Sequence, residues 1–292
     1  MKILKRLFRK HAPWYIKDRY DYYKIFGRFP KLSRPETMNE KVLYRKRHAC
    51  QTDADRYALF ADKFRVRKYV AEKIGEQYLI PLYESFTRQE LPLLKEKLRE
   101  HSHYVLKPNH GAGMVKLVET ISSEQELDEL VATAKSWMNT DFVALTGETH
   151  YGHIERVLLL EQRIGGTDEV LVDYKIHLFR NAFGGFYYVL QIIDDRFTHD
   201  LCSTFYVDNL DSVYEGPHIL SDIEKDKVAE AIELSKLVLD DLDYARIDWY
   251  IHRGKIYFGE ITMTPAGGMG TGYGDELDAI MGKAWDLSLA PR

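Results

Sequence analysis

The stretch YARIDWYIHRGKIYFGEITMTP, residues Tyr244–Pro265, has the pattern of a β-hairpin that carries acidic residues into a sheet. Two runs rich in aromatic and aliphatic residues, Tyr244–Ile251 and Lys255–Thr262, flank a turn at Arg253-Gly254. Because side chains alternate along a strand, each run has one apolar face and one face that accommodates polar groups.

Two carboxylates are expected to meet across this hairpin. Alternation places Arg246, Asp248 and Tyr250 on one side of the first strand, and Ile256, Phe258, Glu260 and Thr262 on one side of the second. Reflection through the turn brings Asp248 close to Glu260. Paired carboxylates in a half-buried sheet require a shared proton or a cation. Mg²⁺ holding a nucleotide is one solution, since it takes oxygen ligands from carboxylates and phosphates. The alternative is two acids at a sheet edge, paired with Arg246 and Lys255.

A second motif, YVLKPNHGAGMVKLV at Tyr104–Val118, predicts a strand, a glycine loop and another strand. Gly111 and Gly113 would let backbone N–H groups turn toward an anion. Lys107 at the end of the first strand could reach phosphate oxygens. The motif lacks the GxxxxGK[ST] pattern of a P-loop. It is typical of a flexible lid over phosphates, and the alternative is a plain hairpin turn.

Other polar residues follow predicted strands. Glu161 ends an apolar run and is interpreted either as a ligand of adenine or a cation, or as a solvated strand-end acid. Lys175 lies on the polar face of a strand, and Arg196 is a candidate for holding phosphate or carboxylate in a bidentate manner. The glycine-rich segment 266–274, AGGMGTGYG, predicts a mobile loop close to a ligand.

The composition is that of a protein with a substantial core. The chain has 292 residues, of which 45% are hydrophobic and 13% aromatic. Its two cysteines, Cys50 and Cys202, form no metal-binding or disulfide pattern, and no run approaches transmembrane length. A reducing cytoplasmic location fits these features.

Charge is distributed unevenly along the chain. Residues 1–47 contain fifteen Lys and Arg against four Asp and Glu, whereas the whole chain has a net charge of −4. This indicates an anionic partner: membrane lipid, a polyanionic substrate or the protein's own acidic face. Met1–Lys10 has the pattern of a short interfacial helix, which suggests peripheral contact with an anionic membrane. No nucleic-acid recognition motif is present, and nucleic acid is not an expected partner.

Helices are predicted at Pro13–Gly27, Glu36–His48, Asp53–Ile74 and Ser221–Leu239. The region Asp53–Ile74 is expected to be one continuous amphipathic helix that ends at Gly75.

Taken in order, these motifs resemble the ATP-grasp superfamily, and more closely its TupA-like branch, which is linked to teichuronopeptide and surface-polysaccharide biosynthesis. The segments that carry the resemblance are DKFRVRKYVAEKIGEQYLIPLYESF, VLKPNHGAGM, DYKIHLFRN, DDRFTH and RIDWYIHRGKIYFGEITMTP. The resemblance implies an α+β fold in which two subdomains with antiparallel sheets clasp ATP, preceded by a basic helical segment. The implied division is 1–52 for that segment, 53–100 for the first part of the core, 101–160 for the lid subdomain and 161–292 for the large subdomain.

The resemblance also implies roles for individual residues. ATP would be contacted by Lys107, His110, Gly111, Gly113, Glu161, Gln162, Ile164 and Lys175. Mg²⁺ would be held by Asp248 and Glu260, with Thr262 where the wider superfamily often has Asn. Arg196 first, and Arg246 second, would contact an oxyanion or the substrate carboxylate.

The implied activity is that of an ADP-forming carboxylate–amine ligase that works through an acyl phosphate. The expected acceptor is the carboxyl group of a uronic acid or nucleotide-uronate in capsular or other cell-surface polysaccharide biosynthesis, and an amino acid or other amine would attack it. The enzyme is expected in the cytoplasm, at the inner face of the membrane if the N-terminus binds lipid. The alternatives are a glycosyltransferase or sugar kinase of the same pathway, or a binding module with a degenerate nucleotide cleft.

Overall fold

The computed structural model of the protein describes residues 11–166, 169–194 and 202–290. The helices in these ranges are α1 (Trp14–Phe26), α2 (Met38–Arg47), α3 (Ala49–Thr52), α4 (Ala54–Ala61), α5 (Val66–Ile74), α6 (Leu94–Glu100), α7 (Glu124–Asn139), α8 (Phe142–Thr146), α9 (Asp222–Leu239) and α10 (Gly274–Ala284). The strands are β1 (Leu82–Thr87), β2 (Tyr104–Pro108), β3 (Lys116–Val118), β4 (Val157–Gln162), β5 (Asp173–Arg180), β6 (Phe186–Asp194), β7 (Cys202–Val207), β8 (Val213–Glu215), β9 (Tyr244–His252) and β10 (Lys255–Thr262). None of the described helices has the length and apolar character that crossing a membrane requires.

The smaller of the two sheets has four antiparallel strands in the order β1-β4-β2-β3. Its apolar face packs against α6 and α7, and the shared core includes Leu106, Leu158 and Leu160 from the strands. The burial of these aliphatic side chains fixes which face of β2 and β4 is turned away from the helices. That other face carries the polar side chains of the two strands.

The larger sheet has six antiparallel strands in the order β10-β9-β5-β6-β7-β8. One face is covered by α5 and α9, over a core that includes Ile176, Ile247 and Trp249. Part of the opposite face is covered by α2 and α10, around Phe179 and Tyr244. The rest of that opposite face turns toward the smaller sheet. The expected α+β architecture with two antiparallel sheets is therefore confirmed.

The helix expected over Asp53–Ile74 is broken in the structure, so this prediction is wrong. Asp62 lies between α4 and α5, and its Oδ1 accepts hydrogen bonds from the backbone N–H groups of Phe64 and Arg65, at 2.9 and 3.1 Å. A short carboxylate that bonds nearby backbone N–H groups competes with continuous helix. The break turns the next residue, Lys63, toward the space between the sheets.

The prediction that Ile256, Phe258, Glu260 and Thr262 share one face of β10 is also partly wrong, because a β-bulge lies at Gly259 in the middle of the strand. Phe258 lies opposite Trp249, and Glu260 lies opposite Asp248, so one residue of β10 has no counterpart on β9. Ile256 and Phe258 consequently point into the core, whereas Glu260 and Thr262 point to the other side. A Cβ atom at position 259 would lie 3.0 Å from the carbonyl oxygen of Asp248, which favours glycine there.

The basic end of α2 is paired with the protein's own acids. Arg45 is buried, forms an ion pair with Asp243 and donates hydrogen bonds to the carbonyl oxygens of Tyr244 and Met263, at 2.8 and 3.2 Å. Lys46 Nζ and Arg47 Nε lie 2.9 and 2.6 Å from the carboxylate of Asp18 on α1. These pairs hold the N-terminal helices on the larger sheet.

We expect Asp243→Ala to lower the free energy of unfolding by about 3–5 kcal/mol, because it leaves the buried guanidinium of Arg45 without its counterion. It also removes the acceptor of the Trp285 indole N–H, which lies 2.6 Å from Asp243 Oδ2. Urea denaturation followed by circular dichroism measures the change. The matched control is Asp241→Ala, which removes an exposed partner of Arg56 and should change the stability by less than about 1 kcal/mol. Equal losses in the two variants would contradict the structural role of the buried pair.

Candidate functional site

A cleft of about 1170 Å³, including its open mouth, separates the two sheets. One wall consists of β2, β4 and the loop after β2, and the other consists of β5, β9 and β10. The charged residues that line the cleft include Lys63, Lys107, Glu161, Asp173, Asp248 and Glu260. A concave site between two structural layers, lined by apolar and charged residues, is typical of small-molecule binding sites.

On the wall of the smaller sheet, Lys107 and Glu161 form an ion pair with 2.6 Å between Nζ and Oε2. Arg67 reaches the other oxygen of Glu161 at 3.4 Å and donates a hydrogen bond to the carbonyl oxygen of Ile80 at 2.7 Å. Glu161 is buried, so it is not the solvated strand-end acid considered as an alternative. Gln162 and Ile164, which follow it, also line the cleft.

On the opposite wall, Arg246 holds the two acids of the hairpin together. Its guanidinium donates to both carboxylate oxygens of Asp248 at 2.7 and 2.8 Å, and to Glu260 Oε1 at 3.0 Å. The Thr262 hydroxyl accepts from Arg246 at 2.9 Å and donates to Glu260 Oε1 at 3.1 Å. The predicted proximity of Asp248 and Glu260 is therefore confirmed.

Lys175 completes this cluster from the neighbouring strand. Its Nζ lies 2.5 Å from Asp248 Oδ2 and 3.3 Å from Asp173 Oδ2. In the alternative interpretation, Arg246 and Lys255 pair with the two acids. The pairing with Arg246 is present, but Lys255 lies opposite His252 at the turn end of the hairpin, away from both acids. Lys175 is thus the second cation that holds Asp248.

The electrostatics of the cluster keep its central pair ionised. Burial alone would raise the pKa of the Asp248 carboxyl, but Arg246 and Lys175 outweigh it and hold that pKa below its usual value. Burial likewise acts to lower the pKa of the Arg246 guanidinium, and Asp248 with Glu260 reverses the effect and raises it. Asp248 and Arg246 are therefore both charged at neutral pH.

The glycine loop lies over the cleft from the side of the smaller sheet. Gly111 and Gly113 both have φ of +74°, a conformation that side chains rarely adopt. A Cβ atom at Gly111 would lie 2.7 Å from both Met114 Cε and Phe142 Cδ2, whereas nothing lies within 4 Å of one at Gly113. Asn109 fixes the start of the loop, since its side-chain amide donates to Asp62 and to the carbonyl oxygen of Glu155, each at 2.8 Å.

His110 is buried beneath this loop and is not among the described residues that line the cleft. Burial, reinforced by Arg156, lowers the pKa of its imidazole to about 4, so the ring is neutral at neutral pH. Its expected contact with ATP stays a prediction. Arg196 lies outside the described residues, and its expected contact with substrate likewise stays a prediction.

Lys63 is a residue of the cleft that sequence reasoning missed. Its Nζ donates to the carbonyl oxygen of Gly111 at 2.8 Å and lies 3.4 Å from Glu260 Oε2. It therefore connects the glycine loop of one wall to the acidic pair of the other. The sequence signal was the Asp62-Lys63 pair within a helical pattern, where a short acidic residue favours a helix break.

The glycine-rich segment 266–274 is held in place instead of being a free loop. Asn39 on α2 donates its side-chain amide to the carbonyl oxygen of Gly270 at 2.8 Å and accepts from the N–H of Gly270 at 2.9 Å. Gly268 packs so closely on α2 that a Cβ atom there would lie 2.8 Å from the carbonyl oxygen of Asn39. The predicted mobility of the segment conflicts with these contacts.

The sequence that forms this cleft matches a known protein family. The sequence matches the family described as TupA-like ATPgrasp over residues 40–285. No curated protein matches it significantly.

Solved structures with a similar fold include three ligases. A D-alanine-D-alanine ligase from Helicobacter pylori has 17% identity and a TM-score of 0.47, covering 78% of this chain and 62% of that one. An L-amino acid ligase from Bacillus licheniformis has 17% identity and a TM-score of 0.44, covering 74% of this chain and 45% of that one. A D-alanine–D-alanine ligase from Bacillus anthracis, complexed with ATP, has 22% identity and a TM-score of 0.42, covering 71% of this chain and 54% of that one.

The chain spans less than two thirds of the length of each of these three proteins. The family match, by contrast, covers most of the chain and includes both walls of the cleft. The family indicated by the sequence motifs is confirmed, and the chain belongs to the TupA-like ATP-grasp family.

Proposed function

We propose that the protein is an ATP-dependent carboxylate–amine ligase that forms ADP. The observation that carries the proposal is the cleft itself, where Lys107 and Glu161 on one sheet face Asp248 and Glu260 on the other. A cleft that offers both lysines and carboxylates can hold a polyphosphate together with a divalent cation. Membership of the TupA-like ATP-grasp family supports the same activity.

ATP would lie with its base toward the smaller sheet and its phosphates under the glycine loop. Glu161, Gln162 and Ile164 line the cleft on the side of the smaller sheet, where the base would bind. Lys107, Lys63 and Lys175 would neutralise the phosphates, and N–H groups of the loop would donate to them. Each of these lysines is held by a carboxylate in the structure, so each side chain is already oriented.

The acidic cluster suits Mg²⁺, which takes oxygen ligands at carboxylates. Asp248 and Glu260 present carboxylates on one face, with the Thr262 hydroxyl beside them, and all three are satisfied by cationic or polar groups in the structure. The cluster thus accommodates positive charge at this position. Bound there, Mg²⁺ would polarise the phosphate oxygens and neutralise the charge that develops on them.

The reaction would proceed in two steps on bound substrates. A substrate carboxylate oxygen attacks the γ-phosphorus of ATP, the bond to the β–γ bridging oxygen breaks, and ADP leaves. An amine nitrogen then attacks the acyl carbon, the bond from that carbon to the phosphate oxygen breaks, and inorganic phosphate leaves with the electron pair. Loss of a proton from nitrogen gives the amide. Arg196 and Arg246 would stabilise the oxyanion of this second step. The two walls would exclude water, which otherwise hydrolyses the acyl phosphate.

We propose as substrates a uronic acid or nucleotide-uronate carboxyl and an amino acid or related amine, in the biosynthesis of a capsular or other cell-surface polysaccharide. The TupA-like branch to which the sequence bears resemblance supports this choice. ATP and a nucleotide-linked acceptor are both cytoplasmic compounds, so we place the enzyme in the cytoplasm.

Product analysis tests the reaction class. Incubation with ATP, Mg²⁺, uronates and amino acids should release ADP and inorganic phosphate in equal amounts, and only when a carboxylate and an amine are both present. Chromatography of nucleotides and a phosphate assay measure the two products. Release of AMP and pyrophosphate would exclude the proposed mechanism, and ADP without free phosphate would show a kinase instead.

Lysine variants test where ATP binds. Lys63→Ala and Lys107→Ala should each weaken ATP binding by about tenfold or more, because each removes a charged partner of the phosphates. Isothermal titration with a non-hydrolysable ATP analogue measures the affinity. The matched control is Lys68→Ala, since Lys68 is exposed on α5 and pairs weakly with Glu72. If both cleft variants bind the analogue as tightly as the parent protein, the proposed nucleotide site is wrong.

An acidic variant separates metal binding from nucleotide binding. Glu260→Gln should raise the Mg²⁺ concentration needed for half-maximal ADP release, while affinity for the analogue without Mg²⁺ changes little. Loss of one carboxylate contact is expected to weaken Mg²⁺ binding by about tenfold or more. Glu233→Gln, at an exposed site on α9, is the control. An unchanged Mg²⁺ dependence in Glu260→Gln would remove Glu260 from the metal site.

A further inference from the structure

Helix α1 is docked on the protein by one side, and its outward side carries exposed aromatic, aliphatic and basic residues. Trp14, Asp18 and Tyr22 form the inward stripe: Trp14 packs on Gly147, Asp18 pairs with Lys46, and Tyr22 is buried. The adjacent stripe, one residue later at the same spacing, is Tyr15, Arg19 and Tyr23. These side chains point away from the body.

Large apolar groups are concentrated on this outward surface. Tyr15 is 57% exposed, Ile16 37% and Tyr23 46%. Phe29, in the loop after α1, is 63% exposed and stacks on Tyr23 with 4.8 Å between ring centroids. Exposed aromatic and aliphatic side chains concentrated on one side of a helix indicate a binding surface. We refer to Tyr15, Ile16, Arg19, Tyr23, Lys24 and Phe29 as the α1 patch.

Cations are interleaved with these apolar groups. Arg19 and Lys24 are exposed, and in the part of the chain that the structure describes neither is paired with an acid. This contrasts with Arg45, Lys46 and Arg47 of α2, whose charges are used within the fold. The positive charge of the α1 patch is therefore available to an external anion.

We propose that the α1 patch binds the surface of an anionic lipid bilayer. Aromatic and aliphatic side chains flanked by Lys and Arg are the composition of a helix that lies in the headgroup region of a membrane. Ile16 has no group with which to bond a sugar, and burial in the bilayer interface is the interaction that removes it from water. The residues that precede α1 in the sequence, 1–10, lie outside the described residues and are not part of the proposed patch. The proposal does not depend on the ligase activity.

Binding of the full chain to vesicles tests the proposal without ATP or substrates. The protein should co-sediment with phosphatidylcholine vesicles that contain phosphatidylglycerol, and much less with phosphatidylcholine alone. The double variants Tyr23→Ser/Phe29→Ser and Arg19→Gln/Lys24→Gln should each lower the partition coefficient by about tenfold or more. Unchanged thermal unfolding of both variants would show that folding is retained, as expected for exposed positions.

Two controls locate the contact on this patch. Phe183→Ser alters a side chain that is 99% exposed at the tip of the β5–β6 hairpin and should leave vesicle binding unchanged. Deletion of residues 1–10 should leave residual binding that still falls in Tyr23→Ser/Phe29→Ser. Parent-like binding by both double variants, or complete loss of binding on deletion of residues 1–10 alone, would overturn the proposal.

Two further outcomes would assign the patch to another partner and so overturn the lipid proposal. In one, the double variants lose binding to soluble polygalacturonate while vesicle binding is unchanged. In the other, light scattering shows a dimer of the parent protein that Tyr23→Ser/Phe29→Ser converts to a monomer.

Discussion

The guanidinium of Arg246 is the group on which the cleft depends. Its side chain is partly buried, with 14% of its surface exposed, and it lies beside the buried carboxylate of Asp248 and the half-buried carboxylate of Glu260. A buried carboxylate without a cationic partner would be costly. By donating to Asp248, Glu260 and Thr262 together, Arg246 lets three oxygen-bearing side chains share one face of the β9–β10 hairpin, while Ile247, Trp249 and Ile261 face the core on the other side. Lys175 supplies the remaining charge from β5. The site is thus stable before any ligand arrives, and a ligand must compete with these internal cations for the carboxylates.

Much of this arrangement could be predicted from local pattern. The β9–β10 hairpin, the polar face of β5 and the Lys107 strand follow from alternation of apolar and polar residues, which reports the face that a side chain occupies. The proximity of Asp248 and Glu260 followed from the turn position.

The errors have a common physical origin, which is that one residue changes the local geometry without changing the hydrophobic pattern. Gly259 is a bulge, and the pattern on either side of it fits a continuous strand equally well. Asp62 breaks a helix through its own backbone hydrogen bonds, and the flanking helices keep the same periodicity. Lys63 was missed for that reason. The glycine-rich segment looked mobile because its clamp, Asn39, lies 231 residues away along the chain.

The N-terminal helices have a double use of basic residues. On α2 these residues are counterions of buried acids in the same chain, so part of the basic N-terminal segment is neutralised within the fold. On the outward side of α1 they remain available. The same compositional signal therefore arises from two different causes, and only the burial of each side chain distinguishes them.

The clamp between Asn39 and the glycine-rich segment has a consequence for how the chain folds. Asn39 also contacts Asp278, 239 residues later, and Arg45 contacts Asp243 across 198 residues. Contacts between such distant positions require a large loop to close, and they form after local structure. The cleft therefore stays incomplete until residues 243–278 have been synthesised, and until then Asn39 and Arg45 lack the partners that hold them in the folded protein. During that delay, the N-terminal helices are exposed to other cellular surfaces.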